Sequence, residues 1–186
     1  TILEKGLMHG IEVANSGEWY PVAMDWCRDK NLTVIANSDI HLPVDLKYDL
    51  TLPHSHRPMT LVFTKDRTEE GVKEALFNRR TVAFTGEQLM GSEDLLMQLF
   101  NASVNIHPPF IKKKTKGRMM VYRELENPTD LTFILEEAGE TGEKDRIRLN
   151  PHSIQILSYP AGKHELKYRL VNCWTGSREH PVIKID

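Results

Sequence analysis

The chain has 186 residues, 40% hydrophobic and 27% charged, proportions ordinary for a soluble globular protein of one full domain or two small ones. Its formal net charge of −2 lacks the basic surplus of a nucleic-acid footprint. No apolar run approaches the roughly 20 residues of a membrane span.

The opening TILEKGLMHG shows no initiating Met, basic region or apolar region of a signal peptide. Such a start is expected of a mature form or a fragment, so part of a site can lie upstream. Residues 6–15, GLMHGIEVAN, read as a short apolar strand ending in polar groups. A helix is expected next, capped by Asn15 or Ser16, with Tyr20, Ala23, Met24 and Cys27 on one face and Asp29-Lys30-Asn31 closing it. Leu32–Ala36 is a near-continuous β-prone run, as in a parallel strand covered on both faces. The unit is β-α-β, and both strands run out into chemically capable residues, Glu12 and Asn15 on one, Asp39 and His41 on the other. Functional groups of α/β proteins gather at the carboxyl ends of strands.

A polar, Pro-bearing loop covers residues 42–58, and Met59–Phe63 is a strand. Asp66 and Glu69 stand at capping-box spacing before a helix with Val72, Ala75 and Leu76 inward. Thr81–Phe84 is a short strand, and Ser92–Ala102 a helix with Leu95, Leu96, Leu99 and Phe100 inward. The cluster Lys112-Lys113-Lys114 with Lys116 reads as a solvated linker. Beyond it, six short β-prone runs alternate with turn residues: 119–125, 131–136, 147–149, 153–157, 166–173 and 182–185. That spacing predicts a small β-sandwich. The expected division is therefore an α/β region over 1–105, a linker over 106–117, and an all-β domain over 118–186. Cys27 and Cys173 read as buried free thiols rather than a disulfide.

Asp39-x-His41 supplies an anionic oxygen and an imidazole nitrogen two residues apart. In an extended strand both would project to one side, a reasonable start for binding zinc, manganese or iron. The competing reading is a turn-capping Asp beside an ordinary surface His. GIEVAN, a helix, and then KNLTVIANSDIH resemble the closing segment of the PHP (polymerase and histidinol phosphatase) family, whose last metal motif is a strand ending in S-D-x-H. TLVFTKDRTEEGVKEALFNRRTVAF and HRPMTLVF extend the resemblance, toward a bacterial PHP-type phosphodiesterase subgroup with a β-rich carboxy-terminal domain.

The resemblance implies the terminal part of a distorted (βα)7 barrel followed by a small β-sandwich-like domain. It also implies up to three divalent metals that activate water and clamp phosphate oxygens of a small phosphorylated substrate. Asp39 and His41 match the last ligand pair. Glu12 is placed behind the ligands, and Asn15 either at the substrate or as a helix cap. Arg57 either pairs with phosphate or makes a structural salt bridge. The family's opening H-x-H, central Glu and intermediate His are expected ahead of residue 1, and His54-Ser55-His56 stands in the wrong order to replace them. Subgroup resemblance leans toward export. Two rival readings remain open: an amidohydrolase-like metal enzyme acting on C–N bonds, and a non-catalytic binding module.

Overall fold

The computed structural model describes residues 1–49, 51–52, 55–139, 146–163 and 165–185. The chain divides into two compact units, Thr1–Leu96 with Asn172–His180, and Met97–Val171 with Pro181–Asp186.

In the first unit, β1 (Gly10–Asn15) and β2 (Glu18–Trp19) form an antiparallel hairpin with Ala14 opposite Trp19. Helix α1 (Pro21–Lys30) leads into β3 (Thr33–Asn37), which lies parallel to β1. The expected β-α-β unit is present, but the helix starts later than its cap chemistry implied. Ser16 and Gly17 both take positive φ, 51° and 92°, the two-residue turn that a tight hairpin requires. Asn15 therefore stays in the strand, opposite both Glu18 and Asn37, and does not cap the helix. Pro21 opens α1 instead, where its missing N–H costs nothing. Asn31, left-handed at φ 57°, returns its N–H to Arg28 and Cys27 and ends the helix. Ala23, Met24 and Cys27 pack with Val13, Ala14, Leu32, Val34 and Ala36. Each larger apolar side chain buried there contributes about 1.5–3 kcal/mol.

The chain continues through β4 (Met59–Val62), α2 (Glu69–Phe77), β5 (Thr81–Thr85), β6 (Gln88–Gly91) and α3 (Glu93–Ser103). β4, β5 and β6 are antiparallel neighbours. Thr68, not Asp66, caps α2, its hydroxyl accepting from the Gly71 N–H at 3.0 Å. Ala75 is buried, whereas Val72 is exposed. The edge of β3 away from β1 meets side chains instead of a strand. Thr60 Oγ1 accepts from the Ala36 N–H and donates to the Ala36 carbonyl, both at 2.9 Å. Thr81 donates to Val34 O at 2.7 Å.

The second unit takes in β7 (Asn105–Ile106), β8 (Ile111–Thr115), β9 (Arg118–Asn127), β10 (Phe133–Glu137), β11 (Ile147–Leu149), β12 (Ser153–Pro160) and β13 (Leu166–Leu170). After β14 (Cys173–Trp174), β15 (Val182–Ile185) completes it. One sheet runs β12-β9-β7 with β8 also on β9, the other β11-β10-β13-β15, all antiparallel. Alternate residues of β9 and β13 are buried, the period of strands with one face on a core. Phe100 and Phe133 meet edge to face at 5.2 Å. Buried Asn127 donates to the carbonyls of Leu131, Leu149 and Asn150 and accepts from Thr129, locking the turn after β9. The lysine-rich stretch is not a linker: Ile111–Thr115 pairs with β9, and Lys113 lies 5.0 Å from the Tyr122 ring centre. Ile111 to Lys114 are all exposed, so three successive lysines sit in a strand open to solvent on both faces.

Candidate metal and substrate site

β3 delivers its chain end to the site. Its ladder with β1 stops at Asn37, and Asp39 has φ 47°, a left-handed conformation that Asp tolerates better than most residues. Two-residue projection along an extended strand therefore does not apply to Asp39 and His41. The turn still brings them together, with Asp39 Oδ1 3.6 Å from His41 Nε2, on side chains 64% and 88% exposed. At that exposure the ion pair itself adds little stability.

Glu12 lies in the middle of β1, opposite Ile35, and not at the strand's carboxyl end. Its Oε1 is buried without a hydrogen-bond partner among the described residues. Asn15 is level with Asn37, two residues short of Asp39. Arg57 is exposed in the approach to β4 and makes no ion pair among the described residues, so the structural salt bridge does not form there. His54 lies outside the described residues. His56 holds both ring nitrogens 2.8 Å from carbonyl oxygens, of Arg57 and Gly86, and stacks on Phe84 at 3.9 Å. That leaves no lone pair turned outward for a metal.

A carboxylate and an imidazole form a donor set that suits a divalent cation. The count is short, however. A catalytic zinc site takes about three protein ligands, and no group of three or more His, Cys, Asp or Glu gathers among the described residues. The pair fits part of such a site and no more. Neither cysteine supplements it: both are buried and free, and desolvation pushes each thiol up to about 12.

The hairpin turn ties the pair to a cleft. Ser16 Oγ donates to the Ser38 carbonyl at 3.0 Å, one residue before Asp39. Ser16, Gly17 and Trp19 form one wall of an open cleft of about 750 Å³. Residues of the 47–58 segment, Lys47, Tyr48, Ser55 and His56 among them, and the Thr85–Gln88 turn complete it. Trp19 packs on Trp174 at 4.4 Å, and Trp174 donates from Nε1 to Gln88 Oε1 at 2.6 Å. Trp174 is held in turn by the 172–180 segment. Ser177 N–H donates to Asp25 at 2.8 Å, and Arg28 pairs with Glu179 at 2.8 Å. Hydrogen bonds from Ser177 hold the Asp25 carboxyl below its ordinary value. The sequence patterns do not signal this cleft, because Trp19 and Trp174 meet only through the tertiary fold. The Ser16-Gly17 pair, a hairpin-turn signature, was the signal that would have moved Trp19 into a strand beside the site.

An α/β unit with a carboxylate–imidazole pair beyond a parallel strand, and an antiparallel β-sandwich unit, define the class of this chain. Residues 104–186 match a family model described as an Ig-like domain. Among solved structures, the chain is similar to a two-domain protein from Bacteroides vulgatus described as containing a predicted PHP-like metal-dependent phosphoesterase. The two share 34% identity at a TM-score of 0.84, over 99% of this chain and 54% of that one. The chain spans about half the length of that protein. No curated protein matches it. No helix among the described residues is long and apolar enough to cross a membrane.

Proposed function

We propose that this chain contributes Asp39 and His41 to the metal site of a PHP-type phosphoesterase, with the β1-α1-β3 unit as the closing part of its barrel. The observation that carries the reading is the paired carboxylate and imidazole directly beyond β3, in a chain similar to a protein described as containing a phosphoesterase of this type. Asp39 and His41 would hold one divalent cation, of zinc, manganese or iron, together with donors from outside the described residues. When bound, such a cation supplies an electrophile for phosphate oxygens and activates water for hydrolysis. Ser16 keeps the Ser38 carbonyl in place and so fixes the backbone from which Asp39 turns out. Arg57, exposed and without an ionic partner among the described residues, is available to a phosphate oxygen.

Asp39→Ala and His41→Ala, made in the protein carrying the complete site, test this directly. Loss of residues behind a metal ligand costs about 10–100-fold, so loss of a ligand itself is expected to cost at least about 100-fold in metal-stimulated hydrolysis of bis-p-nitrophenyl phosphate. Unchanged turnover with full metal content by elemental analysis sinks the proposal. Turnover of amides in preference to phosphate esters by the same metal-loaded protein would favour the amidohydrolase-like reading.

A further inference from the structure

We infer that β12 is a homodimerisation edge: two copies of this chain pair their β12 strands antiparallel about Ile156, which joins two sheets of the β-sandwich units into one.

β12 ends the sheet β12-β9-β7, and no strand pairs with its other edge among the described residues. One step beyond the Pro160–Met120 pair, the Ala161 N–H donates to the Met119 carbonyl at 2.8 Å. Bonded pairs alternate along an antiparallel ladder, so Tyr159, Leu157, Gln155 and Ser153 are the residues that bond β9. Ile154, Ile156 and Ser158 therefore turn their N–H and C=O groups away from β9, into the open edge. The same three residues have exposed side chains, with Ile154 at 55% and Ile156 at 61%.

Sheet edges are ordinarily guarded by charge. The far edge of this sheet is guarded, since β8 carries Lys112, Lys113 and Lys114. In the other sheet, the edge strands β11 and β15 present exposed Arg148 and Lys184. β12 reads SIQILSYP and has no charged residue. Self-pairing of β8, β11 or β15 would set like charges against each other, whereas β12 faces its own copy without that repulsion. Glu124 and Glu126 lie one strand back, opposite Ile156 and Ile154, and Glu126 is turned to Asn105 and His107. Across the pair these carboxylates stand about three strand spacings apart, roughly 14 Å, beyond the screening length of about 8 Å.

Register completes the fit. With Ile156 opposite its counterpart, Ile154 meets Ser158, and every outward N–H of Ile154, Ile156 and Ser158 finds an outward carbonyl. Pro160 has no N–H to give, and a register shifted toward it loses a donor. Isoleucine packs on isoleucine at the two-fold axis. Each copy's open edge is then used up, so the assembly closes as a dimer instead of growing into a fibre.

Sedimentation velocity of the full chain over about 5–500 µM, where small interfaces dissociate, is expected to show a monomer–dimer equilibrium. Ile156→Lys sets two ammonium groups face to face at an exposed position and is expected to weaken dimerisation at least about tenfold. Ser158→Pro removes an N–H that β9 does not use and is expected to act the same way. Circular dichroism shows that each variant is folded. Oxidised Ile156→Cys is expected to give a disulfide-linked dimer, since opposite residues stand about 5.5 Å apart and both native thiols are buried. Ile154→Cys is expected to give none, because its two copies would lie roughly 14 Å apart. A dimer indifferent to Ile156→Lys, or cross-linking at residue 154 in place of 156, would overturn the inference. So would a chain monomeric throughout, which would leave the edge to a strand of another protein.

Discussion

Glu136 is buried on β10 and receives Arg146 Nε at 2.8 Å and the guanidinium of Arg169. The Arg146 hydrogen bond, and then the charges of Arg169 and Arg146, hold its carboxyl below the usual carboxylate range. The folded chain therefore binds this proton less readily than the unfolded chain. The stabilisation is fully present above the unfolded pKa, near 4.3, and is lost as pH falls through the lower folded value. Glu136→Gln is expected to cost about 2 kcal/mol at pH 7. Urea denaturation at pH 7 and pH 3 checks this, because the gap between wild type and variant should narrow at the lower pH. Residue chemistry at Asp39 and His41 was legible in the sequence as a donor pair. The left-handed turn that joins them was not, because φ at one Asp depends on where the preceding ladder ends.

β3 is the element on which the α/β unit depends. Its hydrophobic run marked it in sequence as a strand covered on both faces, and its parallel partner β1 followed from the intervening helix. What covers its second edge was invisible, since a threonine in a β-prone run reads as strand propensity rather than as a hydrogen-bond partner for another strand. Thr60→Val keeps the shape of that side chain but leaves the Ala36 N–H and carbonyl without their partner. The expected loss is about 2 kcal/mol, read as a lowered midpoint in thermal denaturation. A midpoint equal to wild type would mean that water replaces the hydroxyl. The helix starts show the same limit: Asp66 and Asn15 had cap chemistry, yet Thr68 and Pro21 occupy the helix starts. Several polar residues near a boundary can each cap, and packing of the buried face chooses among them.

At the scale of the whole molecule, the chain order of the two units is not simple. After β13 the chain enters the first unit, where β14 pairs parallel with β6, Cys173 opposite Leu89 and Trp174 opposite Met90. It then leaves for β15 in the second unit. The expected boundary near residue 105 treated the units as consecutive, and the run 166–173 as one strand. A chain truncated after residue 103 lacks β14, the Trp174 packing on Trp19 and the Ser177 and Glu179 bonds to α1. It is expected to give a broadened, lower-temperature melt and to lose near-ultraviolet aromatic dichroism. A truncated chain with the wild-type melt would show that the returning segment adds nothing to the first unit.

Local sequence by itself determined the β-α-β beginning, six β-prone runs over the last third, two buried thiols and the Asp39–His41 donor pair. Each rests on interactions within about ten residues: hydrophobic period, turn chemistry, side-chain type. Tertiary structure alone decided that Glu12 sits mid-strand, that the lysine-rich stretch is an edge strand, and that residues 172–180 serve the first unit. It also decided that Trp19, Tyr48 and Gln88 line one cleft with the Ser16 turn. Those outcomes depend on strand register and on pairings between segments up to about 150 residues apart in sequence, which periodicity does not encode. The Asp39–His41 pair stands where the two kinds of information meet: its chemistry is local, and the Ser16 bond that holds the carbonyl before Asp39 is not.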